Sequence, residues 1–190
     1  MSDGQILNMR SASFNGLMSN ARGATTEGPV SALWNWVLSR LFLFPASPDR
    51  SYWVEIKSAA LASNHEPDVL VIEVRFTNNS TTTRQRQIFI AELKSSREDT
   101  TRGWESAETQ LGEYLHENIN GANRLYAAVG IGTKVVFFKW DRSQGPPVRY
   151  MDEMTPMHQG ALDFDRAPDR RAIEGFLEQI KEDGWDRSLS

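Results

Sequence analysis

The sequence predicts an α/β (α+β) domain, a central β-sheet flanked by helices in the order α-β-β-β-α-β-β-α. Three observations carry that expectation. Apolar residues recur at helical spacing in three segments, 29–44, 104–119 and 169–183. Five runs rich in Val, Ile, Leu, Phe and Tyr read as strands, at 52–62, 68–76, 87–94, 125–129 and 134–140. A chain of 190 residues, 39% hydrophobic and 24% charged, suits one domain with a substantial core.

Residues 1–26 are rich in Ser, Asn, Gly and Ala, with Arg10 and Arg22 against the single acid Asp3. They read as an N-terminal arm that either packs on the domain or binds a partner. Ile6, Leu7, Phe14, Leu17 and Met18 supply a helical stripe, a look shared with mitochondrial presequences. The remainder, 27–190, reads as a single domain. Its first helix opens with Pro29 in the first turn, is apolar almost all round, and is stopped by Pro45 and Pro48. The third strand is apolar on both faces, with Phe89, Ala91 and Leu93 on one side and Ile88 and Ile90 on the other, which marks a central strand. A polar turn, 77–86, separates it from the second. The helix at 104–119 carries Trp104, Ala107, Leu111 and Leu115 or Tyr114 on one stripe. Gly130-Ile131-Gly132 joins the last two strands, 141–167 reads as a loop, and Gly184 reads as the stop of the final helix.

Composition removes several function classes. No apolar run approaches the ~20 residues that span a bilayer, and residues 1–26 lack the continuous apolar core of a secretory signal. The expected location is therefore intracellular, in cytoplasm or nucleus. Without cysteine there is no thiol nucleophile, disulfide or Cys-ligated zinc. His65, His116 and His158 are too scattered for a zinc site, and no Gly-x-Ser-x-Gly elbow anchors a hydrolase triad. Gly130-Ile131-Gly132-Thr133-Lys134 lacks the spacing of a phosphate loop and is followed by a strand, so it reads as a hairpin. Net charge is −4, so no global field recruits nucleic acid. Locally, however, Arg75, Arg84, Arg86, Lys94, Arg97 and Arg102 outnumber Glu92, Glu98 and Asp99. That excess reads either as a nucleic-acid contact or as a solvated hairpin tip.

The chemistry-bearing pattern is Pro67-Asp68 at the start of the second strand and Glu92-Leu93-Lys94 at the end of the third. Side chains alternate along a strand, so Glu92 and Lys94 share a face. In a hairpin, Asp68 falls beside Glu92, making an oxygen site for a hard divalent cation with an ammonium next to it. A second copy, Pro48-Asp49 before Glu55-Ile56-Lys57, has too short a gap for two paired strands and no suitable helix after it. The 68–94 copy is followed by Gln110-Leu111-Gly112-Glu113-Tyr114, whose Gln110 and Tyr114 lie one helical turn apart on the face of Ala107.

In these residues and their order the chain resembles the PD-(D/E)XK nuclease superfamily, and the Gln-hydrophobic-x-x-Tyr helix is similar to that of RecB-like and lambda-exonuclease-like members. The resemblance implies a restriction-endonuclease-like core with a mixed central sheet, mapped here onto 29–130. It implies that Asp68, Glu92 and the Leu93 backbone carbonyl ligate Mg2+, for which Mn2+ can substitute. Lys94 orients the attacking water, Gln110 holds Lys94 or the scissile phosphate, and Tyr114 contacts the nucleic-acid backbone. Many members add an acid on the first core helix; 28–48 has none, leaving Glu27 as the nearby candidate ligand, with a helix-start role as its alternative explanation. Arg84, Arg86, Arg97 and Arg102 are the candidate nucleic-acid-binding residues. The expected activity is metal-dependent hydrolysis of nucleic acid, DNA ahead of RNA, with a homodimer or protein partner left open. The alternative is a non-catalytic protein of the same fold that binds nucleic acid or a protein; a third reading makes Glu92 and Lys94 only a structural ion pair.

Overall fold

Alternating apolar residues along five runs leave both faces of a sheet in need of cover, and helices supply it on each side. The computed structural model describes residues 11–42, 50–56, 67–76, 83–117, 123–142 and 153–187. Two helices come first, α1 (Ala12–Arg22) and α2 (Gly28–Phe42). Strands β1 (Arg50–Ile56), β2 (Val69–Phe76) and β3 (Thr83–Lys94) follow. A 3-10 turn at Ser96–Glu98 leads into α3 (Thr101–Glu117), then β4 (Arg124–Ile131) and β5 (Lys134–Asp141). Short strands β6 (Met154–Pro156) and β7 (Leu162–Asp163) precede α4 (Ala167–Arg187). The sheet runs β1-β2-β3-β4-β5-β6, with β7 also on β5. It is mixed: β3 and β4 are parallel, joined across the face by α3, and the other pairs are antiparallel. Among the described residues no helix is long and apolar enough to cross a membrane.

Helices α1, α2 and α4 cover one face, where Phe14, Trp34, Phe89, Phe137 and Ile180 share a core. On the other face α3 lays Ala107, Leu111 and Leu115 against Ile90, Ala127, Val129 and Phe138. β3 and β4 contribute to both cores, as central strands should.

Several sequence expectations change. Of the two readings of the N-terminal arm, residues 12–22 take the packed one: Phe14, Met18 and Ala21 are buried in the main core, and Arg22 pairs with Asp165 at 2.5 Å. Ile6 and Leu7 lie outside the described residues, as does the part of the first predicted strand beyond Ile56. β3 begins at Thr83, so the end of the predicted polar turn is strand; its Gln and Arg side chains sit at the sheet's open end, where no core demands apolar residues. The predicted loop 141–167 contains β6 and β7, which are too short to show a period. Ile88 and Ile90 do not share a face. The β2–β3 register slips between Val71 and Ile72, leaving Ile88 between the partners of those residues, and it joins Phe89 in the main core. Gly184 does not stop α4, which continues to Arg187; a Cβ there would stand 3.0 Å from the Cβ of Ile88, so glycine is what lets the helix sit on the bulge.

Gly103, in the first turn of α3, is under a harder constraint. A Cβ at this position would lie 2.0 Å from the backbone oxygen of Glu98. Alanine normally gains about 1 kcal/mol over glycine inside a helix. Gly103→Ala should instead destabilise the fold by ~1–3 kcal/mol through backbone displacement. Urea unfolding measures it, and a stabilised variant would show the 3-10 turn to be freely adjustable.

Candidate functional site

The β2–β3 register places the site. Val69 pairs with Ala91 and Leu70 with Ile90, so Asp68, one residue before β2, falls opposite Glu92. Directly opposed residues of an antiparallel pair share a face, here the face of Ile90 and α3. Beyond Val69 there is no further β2 strand to accept from β3. Asp68 takes over: its Oδ2 accepts the Leu93 N–H at 2.7 Å. The N–H and C=O of one strand residue point the same way, so the Leu93 carbonyl also faces the Asp68 side. The Lys94 carbonyl points to β4 and accepts the Gly132 N–H at 3.1 Å.

Lys94 Nζ donates to Glu92 Oε1 at 2.5 Å and lies 3.7 Å from Glu27 Oε1. Glu27 precedes α2, its carbonyl accepting the Ser31 N–H at 2.9 Å. The loop carrying it is tied to the end of β3 by Ser96 Oγ, which donates to the Ala24 carbonyl at 2.7 Å. Glu27 therefore serves both as the helix-start residue and as a charge facing Lys94. From α3, the Gln110 amide donates to the Tyr114 hydroxyl at 2.7 Å, which leaves the phenolic proton free to be donated. Tyr114 is buried beside Asp68, Glu92 and Lys94, whose charges it senses. The structure thus brings Glu27, Asp68, Glu92, Lys94, Gln110 and Tyr114 to one place.

A cleft of about 490 Å³ opens there, lined by Thr25, Thr26, Glu27, Lys94, Ser95 and Gln110 among others. Asp68 and Glu92 do not line it; they lie behind Lys94, 7% and 1% exposed. The hydroxyls of Thr25, Thr26, Ser95 and Ser106 on its wall were not singled out from the sequence, because no period or motif distinguishes them.

Four predicted arginines separate into two groups. Arg97 and Arg102 are exposed, on the 3-10 turn and the first turn of α3, flanking the cleft residue Glu98. Arg84 and Arg86 are not at the cleft. They sit at the other end of β3, roughly 26 Å (Arg86) and 33 Å (Arg84) of strand from Lys94. There Arg86 is opposite the buried Glu73, and Arg84 is opposite Arg75, which bonds Glu73 at 2.8 Å. The buried Glu73 carboxylate there is met by Arg75 and Arg50. His65 and Glu66, which flank the motif in sequence, lie outside the described residues.

The electrostatics are those of an anionic pair in a poor solvent. Burial pushes the Asp68 carboxyl up to about 6, against the stabilising Leu93 N–H, with Glu27 adding to the rise and Lys94 opposing it. Burial likewise pushes Glu92 up to about 8, reinforced by the charge of Asp68 and offset in part by Lys94. Burial alone would lower Lys94, but its bonds and proximity to Glu92, Glu27 and Asp68 outweigh that and raise it. Lys94 is therefore an ammonium, a donor and not a base. Glu92 Oε2 is buried without a hydrogen-bond partner. An orphaned carboxylate oxygen beside a second carboxylate and a strand-end carbonyl is a donor set that fits one hard cation. Among the described residues no group of three His, Cys, Asp or Glu side chains is arranged to hold a metal, so Glu27 is not drawn in as a third ligand.

The two raised values set a pH dependence. Folded, Asp68 and Glu92 keep protons that the unfolded chain, near 3.8 and 4.5, has already released. Their contribution to stability is complete below about pH 4 and is lost as pH rises through about 6 and about 8. In chelator, the urea midpoint of the wild type relative to Asp68→Asn should fall across that window. A flat or rising difference would mean that the two carboxyls do not share a low-dielectric site.

No family model matches this chain, and neither does any curated protein or solved structure.

Proposed function

We propose that the chain is a metal-dependent nuclease that hydrolyses phosphodiester bonds of nucleic acid, with DNA the favoured substrate. The single observation that carries this reading is the meeting of Asp68 and Glu92 at one end of β2 and β3, with the Lys94 ammonium on Glu92. The order α2-β1-β2-β3-α3-β4, with β3 and β4 parallel, supports it by agreeing with the helix–three strands–helix–strand core of the PD-(D/E)XK proteins.

Asp68, Glu92 and the Leu93 carbonyl would hold Mg2+ or Mn2+. A bound ion would supply Lewis acidity, lowering the pKa of water and neutralising charge on the phosphoryl oxygens. The protein's own groups account for the rest. The Lys94 ammonium orients the attacking water by hydrogen bonding and offsets the negative charge that develops on the phosphate. Because Gln110 is the donor in its bond to the Tyr114 hydroxyl, the phenolic proton is not used there and can be offered to a phosphate oxygen. Burial chiefly, with the nearby carboxylates adding, raises the pKa of the hydroxyl and keeps it protonated. Arg97 and Arg102 extend positive charge along the outside of the cleft.

One observation favours the non-catalytic alternative. Lys94 is bonded to Glu92 and stands between the cleft and both carboxylates, an ion pair that would suffice as structure. The two readings differ in what the metal does. Binding only the folded state at a hundredfold excess over its dissociation constant, Mg2+ or Mn2+ should stabilise by ~2.7 kcal/mol. Asp68→Asn should lose most of that gain. Lys94→Ala should keep it while losing cleavage by ~10²–10³-fold. Single- and double-stranded DNA and RNA, each with Mg2+ and Mn2+, are the substrates to incubate. Metal stabilisation without cleavage of any of them hands the site to the binding-only reading, and equal stabilisation of wild type and Asp68→Asn removes Asp68 as a ligand.

A further inference from the structure

On the other flank of α3 lies a second cavity, larger and of opposite character. It measures about 780 Å³, within the range of small-ligand sites, and takes its walls from Trp104 on α3, Val136 and Phe138 on β5, and Met157 and His158 after β6. Among the described residues the one acid that lines it is Glu108, one turn along α3 from Trp104. Half-buried Glu108 has no hydrogen bond or ion pair among the described residues, and its charged neighbour on the helix is Glu105, of like sign.

The surrounding charges are already accounted for. Lys134 on the same strand face is held by Asp99 at 2.6 Å, and Asp99 also accepts the Trp104 indole N–H at 3.1 Å. That chain fixes the indole as a rigid wall and removes Lys134 as a partner for Glu108. His158 is neutral: its Nε2 accepts the Phe137 N–H at 3.1 Å, and burial holds its pKa down. Among the described residues no lysine or arginine lines the cavity. An anionic ligand, including a nucleic-acid backbone, would meet the like charge of Glu108, with Glu105 next to it on the helix. The complementary ligand has a flat or aliphatic body and a positive end.

We propose that this cavity binds an arginine side chain of a partner protein, its guanidinium paired with Glu108 and stacked against Trp104. A guanidinium suits both contacts: a carboxylate binds it through a forked hydrogen bond, and an indole face attracts it. The exposed segment Gln159, Gly160 and Ala161 at the rim leaves room for a peptide backbone and offers it polar groups. The site is separate from the Asp68–Glu92 cleft, so it stands whether or not that cleft cleaves nucleic acid.

The test is a titration followed on the Trp104 indole N–H by NMR, the resonance assigned with Trp104→Phe. The probes are an end-capped Gly-Arg-Gly peptide, its citrulline counterpart, ethylguanidinium and guanosine monophosphate. The arginine peptide should shift the resonance saturably and bind more tightly than ethylguanidinium. Citrulline keeps the shape and drops the charge, and Glu108→Gln drops the carboxylate; each should weaken binding about tenfold or more, as loss of a charge-assisted bond implies. No shift with the arginine peptide, equal binding of citrulline, or undiminished binding by Glu108→Gln overturns the proposal. Ethylguanidinium matching the peptide overturns the protein partner, and guanosine monophosphate displacing the peptide makes the cavity a base slot. The citrulline comparison on wild-type protein needs no variant to fold.

Discussion

The hydrogen bond from the Leu93 N–H to the Asp68 carboxylate determines more of this molecule than any other single contact. It occurs where the β2 ladder ends, and a buried strand N–H left without an acceptor is costly. Asp68 answers that need with a side chain in place of a backbone carbonyl. Three consequences follow. The carboxylate is held inward although burial disfavours its charge. The antiparallel pairing then puts Glu92 directly opposite, so two acids share one low-dielectric space. Finally, the Leu93 carbonyl is turned toward that space and not into the β4 ladder. A single substitution for a missing strand residue thus gathers every oxygen of the site.

The rest of the fold keeps that strand end fixed. Gly132 at φ 59° turns the β4–β5 hairpin so that its N–H reaches the Lys94 carbonyl, and a Cβ there would stand 2.9 Å from Ser96. Ser96 in turn holds the α1–α2 loop, and with it Glu27. On the far half of the sheet, the Ile88 bulge lets α4 settle with Gly184 against the strand. Buried charge at that end is handled differently. Glu73, fully buried, is met by Arg75 and Arg50, so its charge is balanced by cations within the fold. Both acids leave one carboxylate oxygen without a hydrogen-bond partner, but where Glu73 has two guanidiniums, Glu92 has one ammonium, shared with Glu27. The contrast between a compensated and an under-compensated carboxylate is the physical difference between a structural ion cluster and a site.

Positions 68, 92 and 94 were legible in the sequence because the side-chain period of a strand is two, and no bulge falls between Leu70 and Asp68 or between Ile90 and Lys94. Gln110 and Tyr114 were legible because helical spacing is equally regular. What escaped depends on contacts between segments distant in sequence. The extra residue at Ile88 leaves no composition mark, since isoleucine suits either face. Gly184 resembles a helix stop because the helix around it is polar; its reason for being glycine is a strand nearly a hundred positions earlier. Arg84 and Arg86 looked like partners of a phosphate because local charge counts cannot see which end of a strand holds the site, nor that Glu73 stands opposite Arg86. Phe14 and Met18 read as an arm because α1 is amphipathic by itself, and only the sheet face shared with α2 and α4 reveals its place in the core.

Helix α3 divides two environments that make opposite demands on a carboxylate. On one flank Gln110 borders a cleft with hydroxyls and the Lys94 ammonium, where a negative ligand finds donors. On the other, Glu108 lines a cavity together with Trp104 and Phe138, and among the described residues no cation pairs with it. Seventeen residues suffice for both because the buried stripe of Ala107, Leu111 and Leu115 takes only one side of the helix and leaves a flank free at either edge. The shared scaffold also means that the two flanks cannot be repositioned independently. The Asp99–Trp104 bond and the Gly103–Glu98 contact lie within one turn of each other. Displacing the start of α3 to widen one cavity therefore moves the wall of the other, and any ligand that orders this turn bears on both.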